Sequence, residues 1–413
     1  MISYTKSIRL INKLNFIYPN EEIYINNSLN RVSAKDIFSP SELPSSNNSA
    51  FDGYALISKE TKKLSKKKGK KFKILGTIAA GDNPKIYNYK KNSAVEIMTG
   101  GIIPKGFDTI IPVEKVKYFP SKSKSTHIII HEVLKKFSFV RFKGEDYKFK
   151  DIVIKKNEVI KSNHLMALAA LGVNKILVKK VPKIIFFGTG NELLKFNTKN
   201  IPKWKIRNSN NLYISTFGQD LKLNIIDGGI IKDNETSKLK KKLKKIINSD
   251  IDLFITSGAV SAGKFDFIPK FIKKFGFKKI FKGVQIKPGR PLMLAKLNKK
   301  FFFGLPGNPI SLAVGFRFFV YPLIRNFLGM KKEKKFRAKL TNKYTKQKNF
   351  THFLRCSLNI NNRGICEIKI LKNQQSNKLK SFTESNCWGI FPEGINKFKQ
   401  GDFVEWLPLI PGS

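Results

Sequence analysis

Between residues 183 and 328, short apolar runs alternate with helical patterns, and that alternation leaves few folds open. The strand-like runs are 183–187, 223–226, 253–256 and 301–303; the helical segments lie near 210–221, 236–247, 265–275 and 310–327. The second helix is the clearest, with Leu239, Leu243, Ile246 and Ile247 on one face and lysines opposite. Strands alternating with helices predict a mainly parallel sheet covered by helices on both faces. Ligands of such sheets bind beyond the carboxyl ends of the strands, where the loops converge.

Three of those loops carry chemistry. The last unit runs from the Phe301-Phe302-Phe303 strand through Gly304-Leu305-Pro306-Gly307-Asn308-Pro309 into a helix. Asn308 suits an N-cap, and Pro309 suits the first helical position, where its missing N–H costs nothing. The open N–H groups of such a start attract anions; the alternative is an ordinary turn between buried elements. The first loop, Gly188-Thr189-Gly190-Asn191-Glu192-Leu193, and the second, from Ser257 and Gly258 through Ser261 and Gly263 to Asp266, likewise combine glycines with hydroxyls. Glycines let backbone approach a ligand, and hydroxyls and N–H groups can donate to phosphate. Neither loop matches a dinucleotide or P-loop pattern, which argues against a nicotinamide enzyme or a standard NTPase. Glu192, Asp266 and Asp233 place carboxylates beside these anion sites, which implies an intervening cation such as Mg²⁺. The turn Lys287-Pro288-Gly289-Arg290-Pro291 adds two cations fit to hold an oxyanion.

The flanking regions differ. Residues 5–17 carry Ile8, Ile11, Leu14 and Ile17 at helical spacing. The lysine run at 62–73 reads as a solvated hairpin tip, residues 72–160 as β-rich, and 335–413 as a small β domain. Ser162 is expected to cap a helix that Gly172 closes, and residues 127–131 look like part of a polar hairpin. Polar loops in the β-rich half include Ser49-Ala50-Phe51-Asp52-Gly53, Met98-Thr99-Gly100-Gly101 and Lys143-Gly144-Glu145-Asp146.

Composition removes several function classes. Hydrophobic residues at 41% mark a globular chain, and no apolar run approaches the roughly 20 residues that span a bilayer. The three cysteines and four histidines are scattered and form no metal-ligand spacing. The start of the chain lacks the apolar core of a secretory signal, so a cytoplasmic protein is expected. A net charge of +50 suggests nucleic acid at first sight, but the lysines are spread over nearly every segment and accompany an excess of Asn, Ile and Phe. All four share AT-rich codons, so no specific nucleic-acid binding is expected.

In order along the chain, NSAFDGYAL, IAAGDNP, EIMTGGIIPKGFDTIIPVE, VRFKGEDY, GTGNEL, SGAVSAGKFDF, IKPGRP and GLPGNPIS resemble the strings of the molybdopterin molybdenumtransferase (MoeA) family, to which the C-terminal part of gephyrin is also similar. The resemblance implies a multidomain α/β and β protein. Its parts would be a mixed N-terminal linker domain (1–40 and 147–180), an inserted β-rich domain (41–146), a three-layer α/β molybdopterin-binding domain (181–330) and a small C-terminal β-barrel domain (331–413). It implies a homodimer, with the active site between the α/β domain of one subunit and the β-rich domain of the other. The implied reaction takes adenylylated molybdopterin and molybdate and releases AMP with Mg²⁺; a molybdopterin adenylyltransferase would stand upstream. Gephyrin's use of the fold leaves a non-catalytic scaffold as the alternative. Carried over by motif, Asp52, Thr99, Asp146, Glu192, Asp233 and Asp266 would be catalytic, with Glu192, Asp233 and Asp266 around the metal. Gly188, Gly190, Ser257, Gly258, Ser261, Gly263, Lys287, Arg290, Pro306, Gly307, Asn308, Pro309 and Ser311 would bind substrate. Asn191 and Asn234 stand where the family usually has acids, Ala259 and Ala262 replace a glycine and a larger aliphatic, and Arg290 replaces a lysine.

Overall fold

The computed structural model of the chain describes residues 1–14, 18–84, 87–233, 235–258 and 268–411. The expected Asp266, Ser261 and Gly263, together with Asn234, Ala259 and Ala262, lie outside the described residues.

Helix α1 (Tyr4–Asn12) opens the chain, its start capped by the Ser3 side chain. A six-stranded sheet follows, built from β1 (Gly53–Leu56), β2 (Lys70–Ile78), β3 (Ser93–Ile97), β4 (Thr109–Pro112), β5 (Lys117–Phe119) and β6 (His127–Ile130) in the order β4-β1-β3-β2-β6-β5. Only β2 and β3 run parallel. Alternation sends Tyr54, Leu56 and Ile111 to one apolar layer and Ala55, Val95 and Ile110 to the other. Both faces are therefore covered, and the strands read as nearly continuous apolar runs. The strand at 127–130 is less polar than the sequence suggests, because Ile128 and Ile130 are fully buried. The lysine run is not a hairpin tip. It leads from the 3₁₀ turn Ser58–Thr61 into β2, which takes up Lys70 and Lys71.

Helix α2 (Ser162–Ala170) closes at Gly172, whose φ of +74° suits a residue without Cβ. Its cap differs from expectation. Ser162 is the first helical residue, and the Lys161 N–H donates 3.2 Å to the ring Nδ1 of His164 instead.

The α/β module comprises β7 (Lys183–Thr189), α3 (Ser209–Asp220), β8 (Asn224–Ile231), α4 (Thr236–Ile247), β9 (Leu253–Ser257), α5 (Ile268–Lys274) and β10 (Lys278–Lys282). After a short strand β11 (Ile286–Lys287) come β12 (Met293–Leu297), β13 (Lys300–Leu305) and α6 (Pro309–Gly315). The sheet order is β8-β7-β9-β13-β12-β10. Its first four strands are parallel, as the alternation predicts; β12 and β10 are antiparallel additions that the sequence did not announce. Asn298, at φ +51°, makes the tight turn that folds β12 back on β13. Phe301 and Phe303 face the layer of α3 and α6, and Phe302 faces α4 and α5, which makes three layers.

From α6 the chain continues through a π turn (Phe316–Val320) into α7 (Tyr321–Phe327). Arg317 within that turn is fully buried. Its guanidinium donates to both carboxylate oxygens of Glu333, at 2.8 and 2.7 Å, and Nε reaches Pro408 O at 3.3 Å. The C-terminal strands β14 (Phe336–Leu340), β15 (Thr351–Ile360), β16 (Cys366–Ile370), β17 (Cys387–Phe391) and β18 (Phe403–Pro408) close into a five-stranded barrel, because β15 pairs with both β16 and β17. The α/β module's own β11 adds a parallel sixth strand alongside β15.

Candidate active site

The parallel register sets the site. Gly188 on β7 lies opposite Ser257 on β9, Ser257 opposite Leu305 on β13, and Thr189 opposite Ile231 on β8. Four strands therefore end level, and the loops that leave them share one edge of the sheet.

Close contacts knit these loops together. Gly190 N donates to Ile231 O at 3.1 Å, and Asp233 N donates to Asn191 Oδ1 at the same distance. The structure thus joins the Glu192 loop to the Asp233 segment through Asn191. Glu192 is exposed, and its carboxylate folds over Gly190: a Cβ there would stand 2.5 Å from Oε2. On the other side, Thr189 Oγ1 donates to Ser257 O at 2.8 Å and Gly258 N to Leu305 O at 2.9 Å. Gly258, at φ +93°, would place a Cβ 2.7 Å from Thr189 O and Oγ1. A Gly258→Ala variant is expected to cost about 1–3 kcal/mol, because the collision is partly with rigid backbone and the φ is strained. Thermal unfolding checks this, and a melting temperature equal to wild type would refute it.

Asparagines at the start of α3 are site residues that sequence reasoning missed. Asn210 Nδ2 donates to Gly307 O at 2.8 Å, tying α3 to the proline-braced loop. Asn208 caps α3 by accepting from Asn211 N at 3.3 Å, and it packs so tightly under Gly188 that a Cβ would meet its Nδ2 at 2.5 Å. Asn210 Oδ1 is buried and has no hydrogen-bond partner among the described residues. The signal was the run Asn208-Ser209-Asn210-Asn211, which a chain rich in asparagine throughout makes easy to pass over.

At the Gly304–Pro309 loop, Pro309 occupies the first turn of α6 as expected, but Asn308 does not cap it through its side chain. Asn308 Nδ2 instead donates to Ser376 Oγ of the barrel at 3.1 Å, and Ile310 N donates to Ser376 O at 3.1 Å. One N–H of the helix start is therefore taken by protein and not open to an anion. Pro306 and Ser311 are buried, while Gly307 and Asn308 are exposed. The loop that carries Ser376 is held by Arg355. This buried guanidinium donates to the carbonyls of Asn373, Gln375 and Lys378 at 3.0, 3.2 and 3.0 Å. Gly289 of the cationic turn packs against Ser311, with a Cβ position 3.4 Å from Ser311 O. Lys287 and Arg290 are thereby set beside α6, both exposed.

A second group lies on the β-rich sheet. Asp52, just before β1, accepts from Thr99 N at 2.6 Å and from Thr99 Oγ1 at 2.7 Å, just past β3. These two bonds, the backbone one first, hold the Asp52 carboxyl below its ordinary pKa. A lowered folded pKa adds stability above the ordinary carboxylate pKa, and that stability is lost as pH falls through the lowered value. A Thr99→Val variant keeps the N–H but loses the hydroxyl, so the Asp52 pKa should move upward. Carboxyl-carbon NMR titration reads this directly, and an unmoved midpoint would refute it. Asp146 is exposed elsewhere on this region, its N–H bonded to Leu43 O at 3.0 Å. Among the described residues, no hydrogen bond joins Asp52, Thr99 or Asp146 to the α/β loops of the same chain.

Fold and site together define a multidomain protein whose α/β module gathers glycine-rich loops, hydroxyls and carboxylates at one sheet edge, beside a C-terminal barrel and a separate β-rich sheet. Comparison with known proteins narrows this. Residues 2–172 match the MoeA N-terminal region (domain I and II), 185–326 a probable molybdopterin binding domain, and 337–409 the MoeA C-terminal region (domain IV). A molybdopterin molybdenumtransferase of Haemophilus influenzae is 32% identical over 405 residues, covering 97% of this chain and 96% of that one. One from Staphylococcus epidermidis is 30% identical, covering 98% and 94%. A crystal structure of the molybdopterin biosynthesis MoeA protein from Pyrococcus horikoshii superposes with a TM-score of 0.82 at 26% identity, covering 99% of both chains. The chain belongs to the MoeA family.

Proposed function

We propose that this chain inserts molybdate into adenylylated molybdopterin, releasing AMP and completing the molybdenum cofactor. The level ends of β7, β8, β9 and β13 carry the proposal, because they present Glu192, Asp233, Ser257 and Gly307 along one edge. Lys287 and Arg290 would neutralise oxyanion charge as it develops on molybdate and on the departing phosphate. Ser257, Ser311 and the Gly307 N–H would orient the phosphates, and the buried Asn210 Oδ1 would accept from the substrate's ring system.

Among the described residues no cluster of three or more His, Cys, Asp or Glu side chains could hold a metal. Mg²⁺ needs less than that, since it is commonly held by one or two carboxylates plus substrate phosphates and waters. Glu192 and Asp233, oxygen donors joined through Asn191, fit it; Asp266 would add a third. When bound, Mg²⁺ would draw charge from the phosphoanhydride and so ease its cleavage.

Asp52 and Thr99 would act from the partner subunit of a homodimer. The exposed Phe51 and Phe139, which meet edge to face at 5.0 Å beside Asp52, support this as an apolar surface open to a second copy. The substrate would come from a molybdopterin adenylyltransferase. Among the described residues no helix is long and apolar enough to cross a membrane, and a cytoplasmic site of action is proposed.

The test is AMP release from adenylylated molybdopterin by the full chain. Release should require both molybdate and Mg²⁺. Nucleotide binding without AMP release under those conditions overturns the proposal.

A further inference from the structure

Arg290 has a partner that the chemistry above does not use. Its guanidinium carbon lies 5.2 Å from the centre of the Phe350 ring, and Phe350 belongs to the C-terminal segment that leads into barrel strand β15. Both partners are pinned. The carbonyl of Arg290 accepts from Val284 N at 3.0 Å and from Leu292 N at 2.9 Å. The carbonyl of Phe350 accepts from Lys346 Nζ at 2.7 Å, and the same ammonium reaches Gln347 O at 3.3 Å. Lys346 is only 7% exposed, so its charge is directed into the turn and not toward solvent. One residue on, Thr351 N donates to Gln285 O at 3.0 Å, and Thr351 and His352 pair with Ile286 and Lys287. The ring and the cation thus sit on two segments locked together by strand pairing.

We infer that Phe350 is a positioning residue for oxyanion recognition. It covers one face of the Arg290 guanidinium and so holds the in-plane N–H donors ready for a tetrahedral anion, either molybdate or the nucleotide phosphate. A guanidinium keeps its donors in its own plane when a ring covers one face, and that face no longer exchanges water. An ammonium on the same ring would turn N–H bonds into the ring itself. The pair therefore suits arginine at position 290, and lysine there would lose the bidentate geometry. The inference rests on the proposed anion-handling role of the cationic turn.

The test uses the full chain, with molybdate and AMP binding measured separately by calorimetry, beside steady-state AMP release. Phe350→Leu should weaken binding of one of the two anions by about 3- to 5-fold. The Michaelis constant for molybdate, or for the adenylylated substrate where AMP binding is the one that weakens, should rise with kcat nearly unchanged, and the arm that shows the loss identifies the anion. Phe350→Tyr should restore wild-type binding. Arg290→Lys should weaken binding at least as much, and adding Phe350→Leu to it should cost nothing more. Wild-type binding of both anions by Phe350→Leu overturns the inference, whether or not its melting temperature falls; so does a double variant whose loss equals the product of the single losses. If the wild type releases no AMP while Phe350→Leu still weakens anion binding, the catalytic proposal fails and this inference stands.

Discussion

A Glu192→Gln variant is expected to fold normally and to lose Mg²⁺-dependent AMP release by about 100-fold. Glutamine keeps the shape of the side chain that lies over Gly190, so the turn beside it should persist. What disappears is a negative charge at the sheet edge, next to the Asn191–Asp233 hydrogen bond. The neighbour of Glu192 is Asn191, an amide, so no adjacent carboxylate remains to compensate. Removing one preorganised oxyanion-stabilising donor typically costs about two to three powers of ten in turnover, and the loss of one cation-holding charge is expected to fall at the lower end of that range. Raising Mg²⁺ should recover part of the loss if Glu192 binds the cation. Full turnover at low Mg²⁺ would remove Glu192 from the metal assignment.

The second large effect concerns stability. Glu333→Ala is expected to destabilise the chain by about 3–5 kcal/mol, because it strands the Arg317 guanidinium in the interior with its main counter-charge gone. Arg317 is 1% exposed, whereas the Glu333 side chain is 22% exposed. Arg317→Met should therefore cost less, roughly 2 kcal/mol or under, since an unbranched apolar side chain can fill much of the space and Glu333 can turn toward water. Denaturant unfolding of both variants tests the order as well as the size. If Arg317→Met proves the more damaging, the guanidinium is held by more than its counter-charge, and stripping it of water costs less than its packing and hydrogen bonds return.

Much of this was legible in the chain. Glycines, hydroxyls and acids after each apolar run announced the loops of the α/β sheet, because a loop that must bring backbone to a ligand carries that chemistry locally. The edge strand β10 escaped notice for a local reason too. Lys278, Lys279 and Lys282 are exposed around the buried Phe281, so the short apolar alternation was diluted by lysine. The turn at Asn298 looked like more of the same polar background. The contacts of Ser376 and Phe350 had no local signal at all. Each depends on the barrel closing and docking, and pairings between residues tens of positions apart leave no periodicity to read. Asn308 illustrates the limit well: its type suited a cap, yet a partner 68 positions away claims its amide.

Strand β11 belongs to the α/β module by sequence and to the barrel by hydrogen bonding. That double membership sets the smallest unit in which the barrel can be exchanged between relatives. A chimera cut only at the link after α7 would carry a barrel whose β15 edge meets a foreign Ile286–Lys287. The cationic turn would then inherit its alignment from a mismatched pairing. An interchangeable cassette must move the segment around residues 285–291 together with the barrel, so the natural seam of this protein is not a single point on the chain.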